Sequence, residues 1–231
     1  MVEVKRTAVE VKHAVVTGVS SGIGSATAAA LLADGWRVTG LSRRKPEMDM
    51  DWQKVDLGDL EALAALASEL VDVDAVVHAA GFQRSAPLGS LNVADLADMW
   101  RVHVAAAEVL VNGVVNALSP GARIVLVGSR TMTGNAGKSQ YVATKSALTG
   151  MARSWAMELV DRGITVNVVA PGPTDTAMLA DPSRSRTPPT LPPLGAFIDP
   201  AEVAGLVAFL LSPHGRNITG QAIVQCAGAS L

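Results

Sequence analysis

The sequence has little of several residue types, and each shortage argues against a class of protein. Its 231 residues include one cysteine, Cys226, so a disulfide within the chain is impossible. Charged residues make up 17% and the formal net charge is −2, so no basic field indicates nucleic acid or an anionic membrane. No apolar run approaches the roughly 20 residues of a membrane helix, and the N-terminus lacks a signal-peptide core. We expect a soluble cytoplasmic protein, with no membrane, nucleic-acid or metal partner.

Aliphatic residues are abundant in the sequence. Hydrophobic residues make up 49% but aromatic residues only 3%, so the core must come from Ala, Val, Leu and Ile. Predicted strands are His13–Thr17, Arg37–Leu41, Gln53–Val55, Ala75–Ala80, Arg123–Val127, Thr165–Ala170 and Ala222–Gln225. Predicted helices are Ser25–Asp34, Asp59–Val71, Val93–Leu118 with a break near Gly113, Tyr141–Val160, and a helix capped by Asp199 that ends at Leu211.

The alternation of these elements predicts the fold class. Strands that are apolar on both faces and separated by helices indicate a parallel sheet covered on both sides. We therefore expect one doubly wound α/β domain over residues 1–231, with about seven strands and with residues 1–10 as an N-terminal extension.

A glycine-rich turn, Thr17-Gly18-Val19-Ser20-Ser21-Gly22-Ile23-Gly24, separates the first strand from the first helix. Gly18 permits a tight turn, Gly22 lets the backbone approach a pyrophosphate, and Gly24 lets the helix pack close to the strand. Free N–H groups at the helix start favour an anion. A purely structural turn is the alternative, but the strand before and the helix after favour a dinucleotide site.

The residues after the second strand indicate which nicotinamide cofactor binds. An NAD-binding protein usually presents an acid to the adenosine ribose about 20 residues after the glycine turn. Here Arg43 and Arg44 follow Ser42, and the first carboxylate is Glu47. Guanidinium groups bind a 2′-phosphate, which an acid would repel. We predict NADP(H) over NAD(H), the alternative being that the arginines belong to a solvated turn.

Tyr141 and Lys145 are four residues apart and fall one turn apart on one face of the predicted helix. A phenol with a pKa near ~10 is a poor proton donor or acceptor at neutral pH, and a nearby ammonium lowers that pKa. Tyr141 is also the only tyrosine in the chain. The pair predicts acid–base chemistry beside the cofactor.

The G-x-x-x-G-x-G spacing preceded by Thr17, together with Tyr-x-x-x-Lys, resembles the short-chain dehydrogenase/reductase family over residues 11 to 228. The resemblance implies a Rossmann-like fold and reversible reduction of a ketone or aldehyde. It implies Ser129, at the end of the fifth strand, as the residue that holds the substrate oxygen. Ser139 and Thr131 are nearby alternatives, and Ser129 as a simple turn residue is another.

The resemblance also implies a cofactor-binding set. Asp56 matches a position that meets the adenine amino group, although it is alternatively a helix cap. The segment from Pro171 to Thr176 matches the loop beside the nicotinamide. The implied set is Gly18, Ser20, Ser21, Gly22, Ile23, Gly24, Arg43, Arg44, Asp56, Leu57, Ala80, Gly81, Tyr141, Lys145, Pro171, Gly172, Thr174 and Thr176.

Two positions depart from the family's pattern. His78 and Ala79 stand where the family has two asparagines, so the hydrogen bonds that stabilise the central sheet must be arranged differently. His103 stands where many members have an asparagine whose backbone carbonyl serves a proton relay. His103 is a catalytic candidate because imidazole titrates near neutrality. A helix histidine with a structural hydrogen bond is at least as favoured.

Residues 177–198 form the predicted substrate flap, which includes a proline-rich stretch. Apolar contacts are expected from Met178, Leu179, Leu191, Leu194 and Phe197, and anion contacts from Arg184 and Arg186. The family makes a 3-oxoacyl-type reductase or a sugar/polyol dehydrogenase plausible, and a homotetramer or homodimer. The competing function is a dinucleotide-binding sensor or scaffold without turnover.

Overall fold

The computed structural model describes residues 11–181 and 187–231, so the predicted extension at residues 1–10 lies outside the described part. The strands within that part are β1 His13–Thr17, β2 Arg37–Ser42, β3 Asp51–Lys54, β4 Val73–His78, β5 Leu118–Val127, β6 Thr165–Pro171 and β7 Ala222–Gln225. The α-helices are α1 Gly22–Ala33, α2 Leu60–Glu69, α3 Val93–Trp100, α4 Ala106–Val114, α5 Ser139–Leu159 and α6 Pro200–Leu211.

The strands form one parallel sheet with the order β3-β2-β1-β4-β5-β6-β7. This confirms the predicted doubly wound α/β fold with seven strands. The order reverses between β1 and β4, which pair from Ala14 with Ala75 to Thr17 with His78. In such sheets the crevice beyond the carboxyl ends of the strands at the reversal is the usual ligand site.

Aliphatic side chains fill two core layers, one on each face of the sheet. Helices α2, α4 and α5 cover one face, where Leu63, Leu110 and Leu148 are fully buried. Helices α1 and α6 cover the other face, with Leu31 and Leu210 at its centre. Because both faces are buried, the strands read as continuous apolar runs in the sequence.

The long helix predicted at Val93–Leu118 is the main correction. The chain is helical from α3 through α4, but Arg101–Ala105 is a π-helical turn in which the Ala106 amide donates to the Arg101 carbonyl. The helix does not break at Gly113, which lies inside α4. A Cβ on Gly113 would lie 2.6 Å from the Ala67 Cβ, so this glycine lets α4 pack close to α2. Leu118 begins β5 rather than ending the helix.

Other boundaries shift by a few residues. Helix α1 begins at Gly22, three residues before the predicted start, so its first turn lies within the glycine-rich turn. Helix α6 has the predicted capping box, in which Asp199 accepts backbone N–H groups and Glu202 accepts from the Asp199 amide. Across residues 11–181 and 187–231, none of the helices is long and apolar enough to cross a membrane.

Candidate active site

A cavity of about 400 Å³ lies at the carboxyl edge of the sheet where the strand order reverses. The glycine-rich turn after β1, the arginines after β2 and the segment after β4 line one part of it. The ends of β5 and β6 and the start of α5 line the rest. The topology thus brings together segments that are separated by more than a hundred residues in the sequence.

The glycine-rich turn has a tight backbone geometry that depends on its glycines. Gly18 has a φ of +76°, in the left-handed region that favours glycine. A Cβ on Gly24 would lie 2.5 Å from the Gly18 carbonyl oxygen, so any larger residue would push α1 away from the turn. Ser21, at the N-cap of α1, makes no side-chain capping hydrogen bond. The first-turn amides are therefore not capped by that side chain.

The arginines after β2 occupy a fixed turn. The Ser42 hydroxyl donates to the Arg44 carbonyl at 2.7 Å and accepts from Trp52 Nε1 at 3.0 Å. Both Arg43 and Arg44 are exposed and line the cavity, which places two positive charges at one end of it. The bonds of Ser42 hold the backbone from which these charges extend.

Asp56 and Leu57 line the same end of the cavity. The Asp56 carboxylate accepts from the Gly58 amide at 2.9 Å, whereas Asp59 is the N-cap of α2 and accepts from the Ala62 amide. Asp56 therefore shapes a turn and does not cap the helix. Leu57 is nearly fully buried and presents an apolar surface there.

Tyr141 and Lys145 are both buried, both lie in the first two turns of α5, and both line the cavity. The Lys145 ammonium donates to the Val127 carbonyl at the end of β5, with an Nζ–O distance of 2.8 Å. Burial lowers the pKa of Lys145 from 10.5 to about 7. A lysine whose charge is this sensitive to its surroundings is well suited to tuning a neighbouring phenol.

Ser129 lies immediately beyond β5 and lines the cavity with 8% of its surface exposed. Its hydroxyl is 2.9 Å from the Thr131 hydroxyl and accepts from the Thr131 amide at 3.3 Å. Of the two alternatives to Ser129, Thr131 is its hydrogen-bond partner and also lines the cavity. Ser139 is exposed and is not among the lining residues. The geometry thus brings Ser129, Tyr141 and Lys145 to one cavity.

His103 is buried in the π-helical turn, and both of its ring nitrogens are hydrogen-bonded. Nε2 accepts from the Phe82 amide at 3.0 Å, so in the neutral ring Nδ1 carries the proton and donates to Thr144 Oγ1 at 2.9 Å. The Thr144 hydroxyl then donates to the Tyr141 carbonyl at 2.9 Å. Burial, followed by the charge of Lys145, lowers the pKa of His103 well below 6.5. These bonds favour the structural interpretation of His103 over a proton relay.

His78 forms a second buried link. The Thr17 hydroxyl accepts from the Ala79 and Ala80 amides, so its own proton points to His78 Nδ1 at 3.1 Å. The other nitrogen, Nε2, donates to the Val102 carbonyl at 3.1 Å. Burial lowers the pKa of His78 to about 3. A neutral His78 therefore connects β1 and β4 to the π-helical turn, which is how the chain replaces the expected asparagine bonds.

The remaining cofactor candidates are distributed around the same cavity. All lie among its lining residues except Gly24, whose role is the close packing described above. Gly22 and Thr176 approach each other, since a Cβ on Gly22 would lie 3.1 Å from Thr176 Cγ2. The lining members from these segments are Gly18, Ser20, Ser21, Gly22, Ile23, Ala80, Gly81, Pro171, Gly172, Thr174 and Thr176.

The predicted substrate flap contributes only in part. Met178 and Leu179 line the cavity, whereas Leu191, Leu194 and Phe197 are not among its lining residues. Arg184 and Arg186 lie outside the described residues. Several lining residues were not predicted as site residues, among them Ser42, Phe82, Gln83, Arg130 and Lys138. Lys138 was detectable as a cation three residues before Tyr141 in the sequence.

Comparison with known proteins agrees with this geometry. The family model described as enoyl-(acyl carrier protein) reductase matches residues 18–230. The chain is 35% identical to 3-oxoacyl-(acyl-carrier-protein) reductase of Vibrio cholerae, covering 93% of this chain and 95% of that one. It is 31% identical to 2,3-dihydro-2,3-dihydroxybenzoate dehydrogenase of Escherichia coli, covering 95% and 97%.

Among solved structures, the fold is similar to a short-chain dehydrogenase of Burkholderia cenocepacia in complex with NADP. The TM-score is 0.85 at 32% identity, covering 95% of this chain and 98% of that one. The similarity extends over nearly the entire chain, and the matched relatives are named as reductases and dehydrogenases. The chain therefore belongs to the short-chain dehydrogenase/reductase family of oxidoreductases.

Proposed function

We propose that this protein interconverts a carbonyl compound and its alcohol with NADP(H), in preference to NAD(H). The observation that carries the proposal is the position of Tyr141 and Lys145, both buried and both lining the cavity that the glycine-rich turn opens. The relatives named as reductases and a solved relative in complex with NADP support it.

The cavity has the features that a dinucleotide needs. Gly18 and Gly22 both have positive φ values, and a Cβ on Gly18 would meet the Ala80 backbone at 3.0 Å. This glycine-lined backbone and the uncapped start of α1 would hold the pyrophosphate, Arg43 and Arg44 the 2′-phosphate, and Asp56 the adenine. The chemistry that a bound nicotinamide supplies is hydride transfer to or from the carbonyl carbon.

The residues of this chain handle the oxygen and its proton. Ser129 holds the substrate oxygen as negative charge develops on it, since a hydroxyl placed in advance stabilises that charge. Tyr141 gives its phenolic proton to the oxygen during reduction and takes it back during oxidation. Protonated Lys145 stabilises the phenolate and so lowers the pKa of Tyr141. The Val127 carbonyl positions the lysine for this role.

Replacement of Tyr141 by Phe tests the activity. We expect Tyr141→Phe to lower kcat on the order of 10²- to 10⁴-fold, because proton transfer is lost. Its affinity for NADPH, measured by fluorescence titration, should change little, because the ring shape is kept. If NADPH binds but neither wild type nor variant reduces any member of a broad carbonyl panel, the result would contradict the proposed activity and favour a dinucleotide-binding sensor or scaffold without turnover.

Cofactor preference is tested by the arginines after β2. We expect wild type to favour NADPH over NADH, and Arg43→Ala and Arg44→Ala each to reduce the ratio of the two kcat/KM values on the order of tenfold. Arg216→Ala, at an exposed site outside the cavity, is the matched control and should keep the ratio. Equal affinity of wild type for the two cofactors would contradict the preference.

We also propose a homotetramer or homodimer. Met157 on α5 is 74% exposed and Trp100 at the end of α3 is 45% exposed. Helices that precede and follow β5 along the chain therefore both carry exposed apolar side chains. Light scattering after size-exclusion chromatography gives the mass directly, and a single species at 23.8 kDa would contradict the proposal.

A further inference from the structure

We propose that the substrate of this site is an oxo acid, a ketone or aldehyde with an anionic group a few bonds from the carbonyl, and that Lys138 recognises the anion. The proposal rests on the proposed carbonyl chemistry and adds to it the class of substrate. It is carried by the position of Lys138 beside Tyr141 and by the distribution of charge around the cavity.

Lys138 is the residue immediately before α5, and only 9% of its surface is exposed. It precedes Tyr141 by three residues along the chain, and both residues line the cavity. A substrate whose carbonyl oxygen contacts Tyr141 would therefore share the cavity with Lys138, and an anionic group a few bonds from that oxygen would meet its charge.

A second cation borders this part of the cavity. Arg130 directly follows Ser129, is half-buried and also lines the cavity. Asp56, a carboxylate among the lining residues, follows β3, far from β5 in the strand order. An anionic group bound near Ser129 and Tyr141 would meet the charges of Lys138 and Arg130.

These two cations are separate from the arginines assigned to the 2′-phosphate. Arg43 and Arg44 follow β2, whereas Arg130 and Lys138 follow β5. Strands β1 and β4 lie between β2 and β5, so the two strand ends are about 14 Å apart at a spacing of about 4.8 Å per strand. A single phosphate at one end cannot account for the positive charge at the other.

The start of α5 reinforces the attraction. The helix has 21 residues and no acidic residue in its first turn, and its N-cap is Lys138, whose ammonium has no acceptor atom to cap the amides. The positive end of the helix dipole and the lysine charge thus act on the same region. Phe82, Met178 and Leu179 line the cavity with apolar surface that suits the carbon chain of an oxo acid.

The experiment compares acids with their neutral esters. The probes are 2-oxobutanoate, 3-oxobutanoate and 4-oxopentanoate, each paired with its methyl ester, assayed with NADPH for kcat/KM. We expect wild type to prefer at least one acid over its ester on the order of tenfold, as a charge-assisted hydrogen bond gives. The spacing of that acid reports the distance between Tyr141 and the anion.

Three variants separate the role of charge. Lys138→Met keeps a long side chain without charge and should bring the acid-to-ester ratio close to one. Lys138→Arg keeps the charge and should keep the preference for the acid. Lys54→Met is the matched control on exposed β3, outside the cavity, and should keep the wild-type ratio. Circular dichroism and NADPH titration establish that each variant folds.

The outcomes are distinct. Equal use of all acids and esters by wild type, or an unchanged ratio in Lys138→Met, would overturn the oxo-acid proposal while the carbonyl reductase activity stands. Failure to reduce any acid, ester or simple aldehyde would overturn the proposed function and the oxo-acid proposal with it.

Discussion

His103 donates from Nδ1 to the Oγ1 atom of Thr144 across 2.9 Å, and this bond joins the π-helical turn to the helix turn that carries Tyr141. The His103 ring also meets the Tyr141 ring edge-on, with centroids 5.7 Å apart and an interplanar angle of 86°. The position of the proposed proton donor therefore depends on the neutral imidazole of the π-helical turn.

We expect His103→Asn and Thr144→Val each to lower kcat on the order of tenfold, because each removes the bond that joins the π-helical turn to α5 next to Tyr141. The double variant should lose little more than either single variant, since both changes remove one shared contact. The pH dependence of kcat should keep the same acidic and basic limbs in both variants, because neither residue exchanges the catalytic proton. The loss of one limb in His103→Asn would show instead that His103 takes part in proton transfer.

The buried His78 predicts that the unfolding free energy of the protein decreases as the pH falls below about 6.5. Burial, followed by the charge of Lys145, lowers the pKa of His78 from 6.5 to about 3, so the folded state keeps it neutral while the unfolded state takes up a proton below about 6.5. Its contribution is present above that pH and is lost as the pH falls toward 3. We expect His78→Asn to be less stable than wild type at pH 7.5, with the difference in unfolding free energy shrinking by pH 5.

Urea unfolding at pH 7.5, 6 and 5 measures the effect of His78. The matched control is His214→Asn, because His214 is exposed and its side chain lies outside the sheet. Its difference from wild type should stay the same at all three values. A constant difference for His78→Asn as well would show that the pKa of this histidine is the same in the folded and unfolded states, and so would contradict the effect of burial.

The buried Lys145 predicts a second pH dependence of stability, in the same direction as that of His78 but at higher pH. Burial lowers its pKa from 10.5 to about 7, so below pH 7 the folded state must hold a charge that burial disfavours, and between about 7 and 10.5 only the unfolded state is protonated. This group therefore makes stability rise with pH over that window. We expect Lys145→Met to stabilise the protein without cofactor most at pH 7 and below, with the gain disappearing by pH 10.

Thermal unfolding of wild type and Lys145→Met at pH 6.5, 8 and 9.5 checks this. A melting temperature difference that does not depend on pH would mean that Lys145 is solvated in the folded protein. Lys54→Met carries the same chemical change at an exposed position and should show no such trend.

The glycine-rich turn allows a paired test of packing. A Cβ on Gly24 would lie 2.5 Å from the Gly18 carbonyl oxygen and 2.8 Å from that of Thr17, so Gly24→Ala must displace α1. We expect a loss of stability of about 1–3 kcal/mol and weaker NADPH binding. Gly205→Ala in α6 meets nothing within 4 Å and should instead stabilise by roughly 0.5–1 kcal/mol. Chemical unfolding measures the stability of both variants, and titration measures their affinity for NADPH. Equal changes in stability and affinity in the two variants would contradict the packing role of Gly24.

The sequence predicted the sheet and the cavity-lining loops because those features follow from local patterns. Apolar runs marked the strands, the glycines marked the turn, and the spacing of Tyr141 and Lys145 marked one helix face. The bonds of His78 and His103 were not predictable, since their partners Val102 and Phe82 approach only through tertiary packing. The π-helical turn was also missed, because an apolar helix pattern does not reveal one additional residue in a turn.

That additional residue has a consequence for how the chain tolerates length changes. A π-helical turn takes in one residue more than an α-helical turn while the helix on either side keeps its orientation. Removing one residue between Arg101 and Ala105 would therefore leave Met99 on α3 and Leu110 on α4 on their buried faces, but it would move His103 away from its partners Phe82 and Thr144. A one-residue deletion inside α4 should be more damaging to the fold, because successive α-helical residues are separated by about 100° and one end of the helix would turn its buried side chains outward.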